Sequence, residues 1–95
     1  MLIRTTSQFD RWFGGLRDLR SRVRIQAGID RLSLGHMGDV KPVGQGVFEL
    51  RIHFGPGFRV YFVEKKGQWI ILLAGGDKST QDRDIVRAHQ LAQQL

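Results

Sequence analysis

The sequence predicts a single α+β domain in which a mainly antiparallel, twisted β-sheet packs against helices. Three observations lead to this class. Two segments with helical spacing of apolar residues stand near the start, three strand-like segments joined by short turns follow, and a helix with a clear start ends the chain. A chain of 95 residues has room for one such domain, so residues 1–95 are treated as one unit of order β-α-α-β-β-β-α.

The first elements are a short strand over residues 2–5 and a short helix. Ser7 is the expected N-cap, because its hydroxyl can accept a hydrogen bond from a free backbone N–H. One helix face then carries four apolar residues at helical spacing: Phe9, Trp12, Phe13 and Leu16. Gly14 and Gly15 are expected to end this helix.

The second helix is expected over residues 17–34, with Gly35 as its stop, and it has two apolar sides. One side carries Leu16, Leu19, Val23 and Ala27, and the other carries Ile25, Ile29 and Leu32. Because a helix that is apolar on two sides is covered on two sides, we expect the first helix on one flank and the sheet on the other.

The remaining strands follow closely. Residues 38–46 form a loop with a short edge strand at residues 39–43. Residues 47–53 alternate with period two, so that Val47, Glu49, Arg51 and His53 share one face. Residues 58–64 are the next strand. Residues 69–74 are a nearly continuous apolar run, which is typical of a central strand buried on both faces.

The last helix has a capping-box pattern over residues 79–82, with Asp82 in place of the usual glutamate. Its apolar face consists of Ile85, Ala88, Ala92 and Leu95. All three helices are expected to cover one face of the sheet.

The net charge of +6, with a pI near 10.8, is the strongest signal in the composition. Most of the basic residues are arginines, whose planar guanidinium pairs with phosphate at two points. A solvated surface is the plain alternative. We favour a polyanionic partner, with nucleic acid ahead of an acidic protein.

Several classes of protein are excluded. With no cysteine, the chain has no disulfide and no thiolate metal site. The three histidines, His36, His53 and His89, match no metal-ligand spacing, so neither metal nor cofactor is expected. No segment is apolar enough to cross a bilayer, and the N-terminus lacks the form of a signal peptide. We therefore expect a cytoplasmic protein with no membrane association.

Two groups of basic residues are candidates for contact with a nucleic acid. The first follows the second helix and is predicted to bind RNA together with Lys41: Arg17, Arg20, Arg24 and Arg31. A solvated helix edge is the alternative for this stripe.

The second group is Arg51, Arg59 and Lys78, which converge if their strands are neighbours. Such a cluster can hold a phosphate and stabilise the charge that builds on a pentavalent phosphorus. Glu49 or His53 could move a proton. Since RNA supplies its own nucleophile, the 2′-OH, a nuclease of this kind needs no metal. Alternatively, Arg59 simply pairs with Glu49 or Glu64.

The segment 75–80 has a superficial likeness to a phosphate-binding P-loop. That motif needs an adjacent Gly-Lys pair and an earlier glycine. Here Asp77 separates Gly76 from Lys78, and Ile71 stands where the first glycine would be, so the P-loop is rejected.

Two runs of sequence, FELRIHFGPGFRVYF at residues 48–62 and LLAGGDKSTQ at residues 72–81, resemble the RelE/ParE toxin superfamily. They are most similar to its HigB-like "addiction module killer protein" branch. Residues 9–12 and the arginine-rich second helix fit too, so the resemblance covers nearly the whole chain.

The resemblance implies a RelE-like fold and a type II toxin that inhibits translation by cutting mRNA on the ribosome, causing growth arrest. It also implies a cognate antitoxin with a helix-turn-helix domain, through which alone the toxin reaches operator DNA. Arg59, Arg51 and Lys78 match basic residues of the family's catalytic site.

The chain departs from RelE-type enzymes in two places. Glu49 stands where they have a second strand lysine, and their C-terminal tyrosine has no clear counterpart near Arg83. The general base and acid are therefore open, with Glu49 and His53 as candidates on chemistry alone. A ParE-like inhibitor of DNA gyrase and an inactive member that only binds its antitoxin are the alternatives.

Overall fold

The computed structural model describes all 95 residues and confirms the mixed α+β class. Strand β1 (Leu2–Thr5) precedes helices α1 (Ser7–Gly14) and α2 (Leu19–Ser33). Strands β2 (Val40–Pro42), β3 (Phe48–Ile52), β4 (Phe58–Lys65) and β5 (Trp69–Asp77) follow. A 3-10 turn (Lys78–Thr80) leads into α3 (Gln81–Gln93). None of the helices is long and apolar enough to cross a membrane.

One five-stranded sheet runs in the order β1-β5-β4-β3-β2. Only β1 is parallel to its neighbour, and the other pairs are antiparallel. Strand β5 lies between β1 and β4, and Ile70, Leu72 and Leu73 are almost completely buried in it. The predictions of an edge strand at β2 and of a central, doubly buried β5 are confirmed.

Helices cover both faces of the sheet, so the expectation that they share one face is wrong. One core cluster joins α1 and α2 to Leu50, Val60 and Phe62. A second cluster lies on the opposite face, where α3 packs Ala88 against Tyr61 and Leu73. The alternation of apolar residues on both faces of β4 requires this arrangement, because each face must be covered.

Helix α2 is covered on one side only, contrary to expectation. Ile25, Ile29 and Leu32 are buried against the sheet. On the other side Leu19 is 72% and Val23 59% exposed. Helix α1 does not cover them because its own aromatic residues pack onto β5 and Phe58.

Two helix starts differ from prediction by the identity of the cap. Thr6, not Ser7, is the N-cap of α1, and its hydroxyl accepts from the Phe9 N–H. The capping box before α3 joins Asp77 to Thr80, not Ser79 to Asp82, and it encloses the 3-10 turn. In both places the N-cap is nearer to the preceding strand than predicted. Thr6 follows directly after β1, and Asp77 is the last residue of β5, so each strand continues up to the first turn of the helix.

Gly75 and Gly76 belong to β5, which extends beyond its predicted end to Asp77. A Cβ on Gly75 would enter the Trp12 ring, and one on Gly76 would collide with the Asp84 carboxylate. The two glycines therefore let α1 approach one face of the strand and α3 the other.

We expect Gly75→Ala to lower the free energy of unfolding by about 1–3 kcal/mol, because the added methyl overpacks the contact with Trp12. Urea denaturation measures this change. The matched control is Gly14→Ala at the end of α1, where a Cβ meets nothing within 4 Å. That variant should stay within about 1 kcal/mol of the parent, in the stabilising direction. Equal unfolding midpoints for the two variants would contradict the packing argument.

Candidate functional site

Two rows of residues cross the sheet on the face that α3 partly covers. In the first row Arg51 lies directly opposite Arg59, which lies opposite Gly76. In the second row Lys41 lies opposite Glu49, which lies opposite Tyr61. Like charges directly opposite each other destabilise a sheet. The Arg51–Arg59 pair therefore has no explanation in the stability of the strands alone.

Glu49 lies on the same face, in the row next to this pair, and is fully buried. Its Oε1 accepts from Arg51 Nε at 3.1 Å. Its Oε2 accepts from the Tyr61 hydroxyl at 3.0 Å and from Gln81 Nε2 at 2.9 Å. Burial alone would raise the pKa of Glu49, but these three hydrogen bonds and the charge of Arg59 outweigh it, so the pKa is lowered. Glu49 is thus a buried anion that fixes the side chains of Arg51, Tyr61 and Gln81.

Tyr61 is fixed as a hydrogen-bond donor. Burial, followed by the charge of Glu49 and its hydrogen bond, raises the pKa of Tyr61 far above its ordinary value. Its place on this face follows from strand alternation. Gln81 was missed by the sequence analysis, because it is the first residue of α3 and only the packing of that helix brings it to Glu49.

Arg59 makes no ion pair, which rules out the simple pairing with Glu49 or Glu64. Its Nη1 donates to the Gly57 carbonyl at 2.6 Å, and its buried Nε has no partner. The guanidinium is therefore steered by the turn before β4, while its remaining N–H groups are uncommitted. In this position Arg59 can offer charge and donors to an anion.

Lys78 lies beside the same turn. Its backbone N–H donates to the Pro56 carbonyl at 3.4 Å. Gly57 lies close to both residues, since a Cβ there would sit 2.9 Å from Arg59 Nη1 and 3.6 Å from Lys78 Cβ. The structure thus brings Arg51, Arg59 and Lys78 to one end of the sheet, where together they form what we call the cationic cluster.

His53 lies outside the cluster. Its Nε2 is 2.5 Å from Asp39 Oδ2, and the ring is 76% exposed. No hydrogen bond or ion pair connects it to Arg51 or Arg59. No group of three or more acidic or histidine side chains is arranged so that it could hold a metal ion.

The predicted arginine stripe is exposed, but it does not share a surface with the cluster. Its members are Arg17, Arg20, Arg24 and Arg31. Helix α2 packs on the face opposite to the cluster. Lys41, by contrast, lies opposite Glu49, in the row next to Arg51 and Arg59, and so carries positive charge to the sheet edge on the face of the cluster.

Comparison with known proteins identifies the family of this chain. The model of the phage-derived Gp49-like proteins (DUF891) matches residues 12–94. An uncharacterized protein of Haemophilus influenzae is 53% identical over 93 residues, which are 98% of this chain and 94% of that protein. The matched range includes α2, the whole cationic cluster and Glu49. The chain therefore belongs to the phage-derived Gp49-like family (DUF891), a RelE-like toxin family.

Proposed function

We propose that this protein is the toxin of a type II toxin–antitoxin system, of the HigB-like branch, and that it cuts mRNA on the ribosome. One observation carries the proposal: Arg51 and Arg59 lie directly opposite each other, next to a fully buried Glu49 that accepts a hydrogen bond from Arg51. A sheet that keeps two such cations together, with Lys78 beside them, is organised to receive concentrated negative charge.

The phosphodiester of RNA supplies such charge in the transition state of cleavage. The 2′-OH oxygen attacks the adjacent phosphorus, its proton passes to a base, and the bond from phosphorus to the 5′ oxygen breaks. The departing oxygen takes a proton from solvent, which leaves a 2′,3′-cyclic phosphate and a 5′-OH. Arg59 and Lys78 stabilise the charge on the phosphorane, and Arg51 adds to it from the neighbouring strand.

The two candidate proton carriers have different roles in this scheme. A fully buried carboxylate with three donors is positioned to orient Arg51 rather than to touch RNA, so Glu49 is a positioning residue. His53 is the remaining candidate base. When Nε2 donates to Asp39, Nδ1 is left as an acceptor on an exposed ring.

The partners of such a toxin are the ribosome with its mRNA and a cognate helix-turn-helix antitoxin. Operator DNA is reached only through that antitoxin. The setting is the cytoplasm, and the reaction inhibits translation and arrests growth. These assignments rest on the family resemblance and the cationic cluster together.

Primer extension on mRNA from cells that express the protein tests the proposal. We expect cuts phased with the codons, and none in cells that express Arg59→Ala at the same level. Intact mRNA with trapped gyrase–DNA breaks would overturn the proposal in favour of a ParE-like gyrase inhibitor. Intact mRNA with normal growth would point instead to an inactive member. Repeating the reaction on purified mRNA with and without ribosomes tests ribosome dependence.

A further inference from the structure

The exposed side of α2 is an unpartnered apolar surface with arginines along it. Leu19 and Val23 are one helical turn apart, and both are more than half exposed. A groove runs between them and Phe54, a half-buried residue of the turn between β3 and β4. Its other two lining residues are Arg20 and Arg24. We call these five residues the α2 groove.

Large apolar side chains at spacing i and i+4 on a helix are normally covered. Within this chain nothing covers Leu19 and Val23, because α1 packs onto the sheet instead. Contiguous exposed apolar surface of this kind marks sites of interaction with other proteins. RNA offers no comparable apolar surface, and so it does not account for Leu19 and Val23.

The charges around the groove specify the partner. Arg24 stacks on Phe54 with its guanidinium carbon 4.9 Å from the ring centroid, and neither Arg20 nor Arg24 forms an ion pair. Asp18, which precedes Leu19, does not line the groove; its carboxylate accepts from the Ser21 hydroxyl at 2.7 Å and also feels the charge of Arg20 without forming an ion pair. The rim of the groove is therefore basic around an apolar floor, which complements an acidic amphipathic helix.

We propose that the α2 groove docks an acidic amphipathic helix of another protein, with its apolar side chains on Leu19, Val23 and Phe54 and its carboxylates on Arg20 and Arg24. The groove lies on the α2 side of the sheet, away from the face that carries Glu49. The proposal thus stands independently of RNA cleavage. It also reassigns Arg20 and Arg24 from RNA to a protein partner.

The test uses a synthetic helical peptide with leucines at i, i+3, i+4 and i+7 and glutamates beside them. Titrated into the isotopically labelled protein, it should shift the NMR signals of Leu19, Val23 and Phe54. A peptide of the same composition in scrambled order should not. Added salt should weaken the binding, because the flanking contacts are ionic.

Variants locate the binding. The double variant Leu19→Asp/Val23→Asp should weaken it at least about tenfold. The matched control is Val86→Asp, at an exposed valine of α3 that is 57% accessible. Likewise Arg20→Glu/Arg24→Glu should weaken binding, whereas Arg87→Glu should not. All these positions are exposed, so circular dichroism should show unchanged folding.

Four results would overturn the proposal. One is no shift at these residues with peptide up to about 1 mM. Another is equal binding by the Leu19→Asp/Val23→Asp protein. A third is a single-stranded RNA oligonucleotide that shifts the same signals while the peptide does not. The fourth is self-association in sedimentation equilibrium that Leu19→Asp abolishes, which would assign the groove to a second copy of this chain.

Discussion

Replacing Arg59 with alanine is expected to slow mRNA cleavage by about 10²–10³-fold, the usual effect of removing one group that stabilises charge in a transition state. Unlike Arg51, Arg59 forms no ion pair with a carboxylate, so its charge is not offset in that way. Arg59→Lys should recover only part of the rate, because lysine lacks the planar set of donors. Primer extension and growth rate measure both effects.

The loss should be specific to activity. Arg59→Ala removes one hydrogen bond, to the Gly57 carbonyl, so the free energy of unfolding should change by no more than about 1 kcal/mol. Antitoxin binding should also be unchanged. Arg87→Ala, at an exposed arginine of α3, is the control and should cleave at the parent rate. If Arg59→Ala, Arg51→Ala and Lys78→Ala proteins all remain toxic, the site is wrong.

Glu49→Ala is expected to lower the free energy of unfolding by about 3–5 kcal/mol, as is typical when one partner of a buried ionic network is removed. Three donors, from Arg51, Tyr61 and Gln81, would lose their acceptor, and Arg51 would face Arg59 with no carboxylate beside it. Urea denaturation followed by circular dichroism measures the change. Tyr61→Phe is the graded comparison, since it removes one donor and leaves the anion, and should cost about 0.5–1.5 kcal/mol.

The same network makes stability depend on pH. The pKa of Glu49 in the folded protein is below its ordinary value near 4.5. Its ionised form therefore contributes stability that is fully present above that ordinary value and is lost as the pH falls through the folded pKa. We expect the difference in unfolding free energy between the parent and Glu49→Gln to shrink on acidification below pH 4.5. A difference independent of pH would show that Glu49 is not an ionised anchor.

Much of this fold can be predicted from the sequence, because the strands that are most deeply buried also have the clearest pattern of apolar residues. The run from Trp69 to Ala74 identifies the central strand, and the alternation after Val47 identifies the face shared by Glu49 and Arg51. The residues that sit opposite each other across strands, Arg51 and Arg59, follow once those strands are hairpin neighbours. Both arginines of the cluster are therefore accessible to sequence reasoning.

The features that the sequence does not predict depend on tertiary packing. Gln81 reaches Glu49 only because α3 crosses the face opposite to α2, and no local pattern says which face a terminal helix selects. The sequence predicts a second apolar side of α2 at Leu19 and Val23, but in the structure α1 does not cover it. The spacing of apolar residues predicts which side of a helix is apolar. It does not predict whether the surface that covers this side belongs to the same chain or to another protein.

The pairing of β1 with β5 has a consequence for how this protein is made. The Thr6 hydroxyl donates to the Leu73 carbonyl across 67 residues of chain, whereas β3, β4 and β5 are joined by short turns. Contacts between distant residues form slowly, since the intervening loop must close first. We therefore expect β1 to join the sheet after β3, β4 and β5 have paired, although β1 is synthesised before them. Glu49 likewise lacks one of its donors until Gln81 has been synthesised, 32 residues later in the chain.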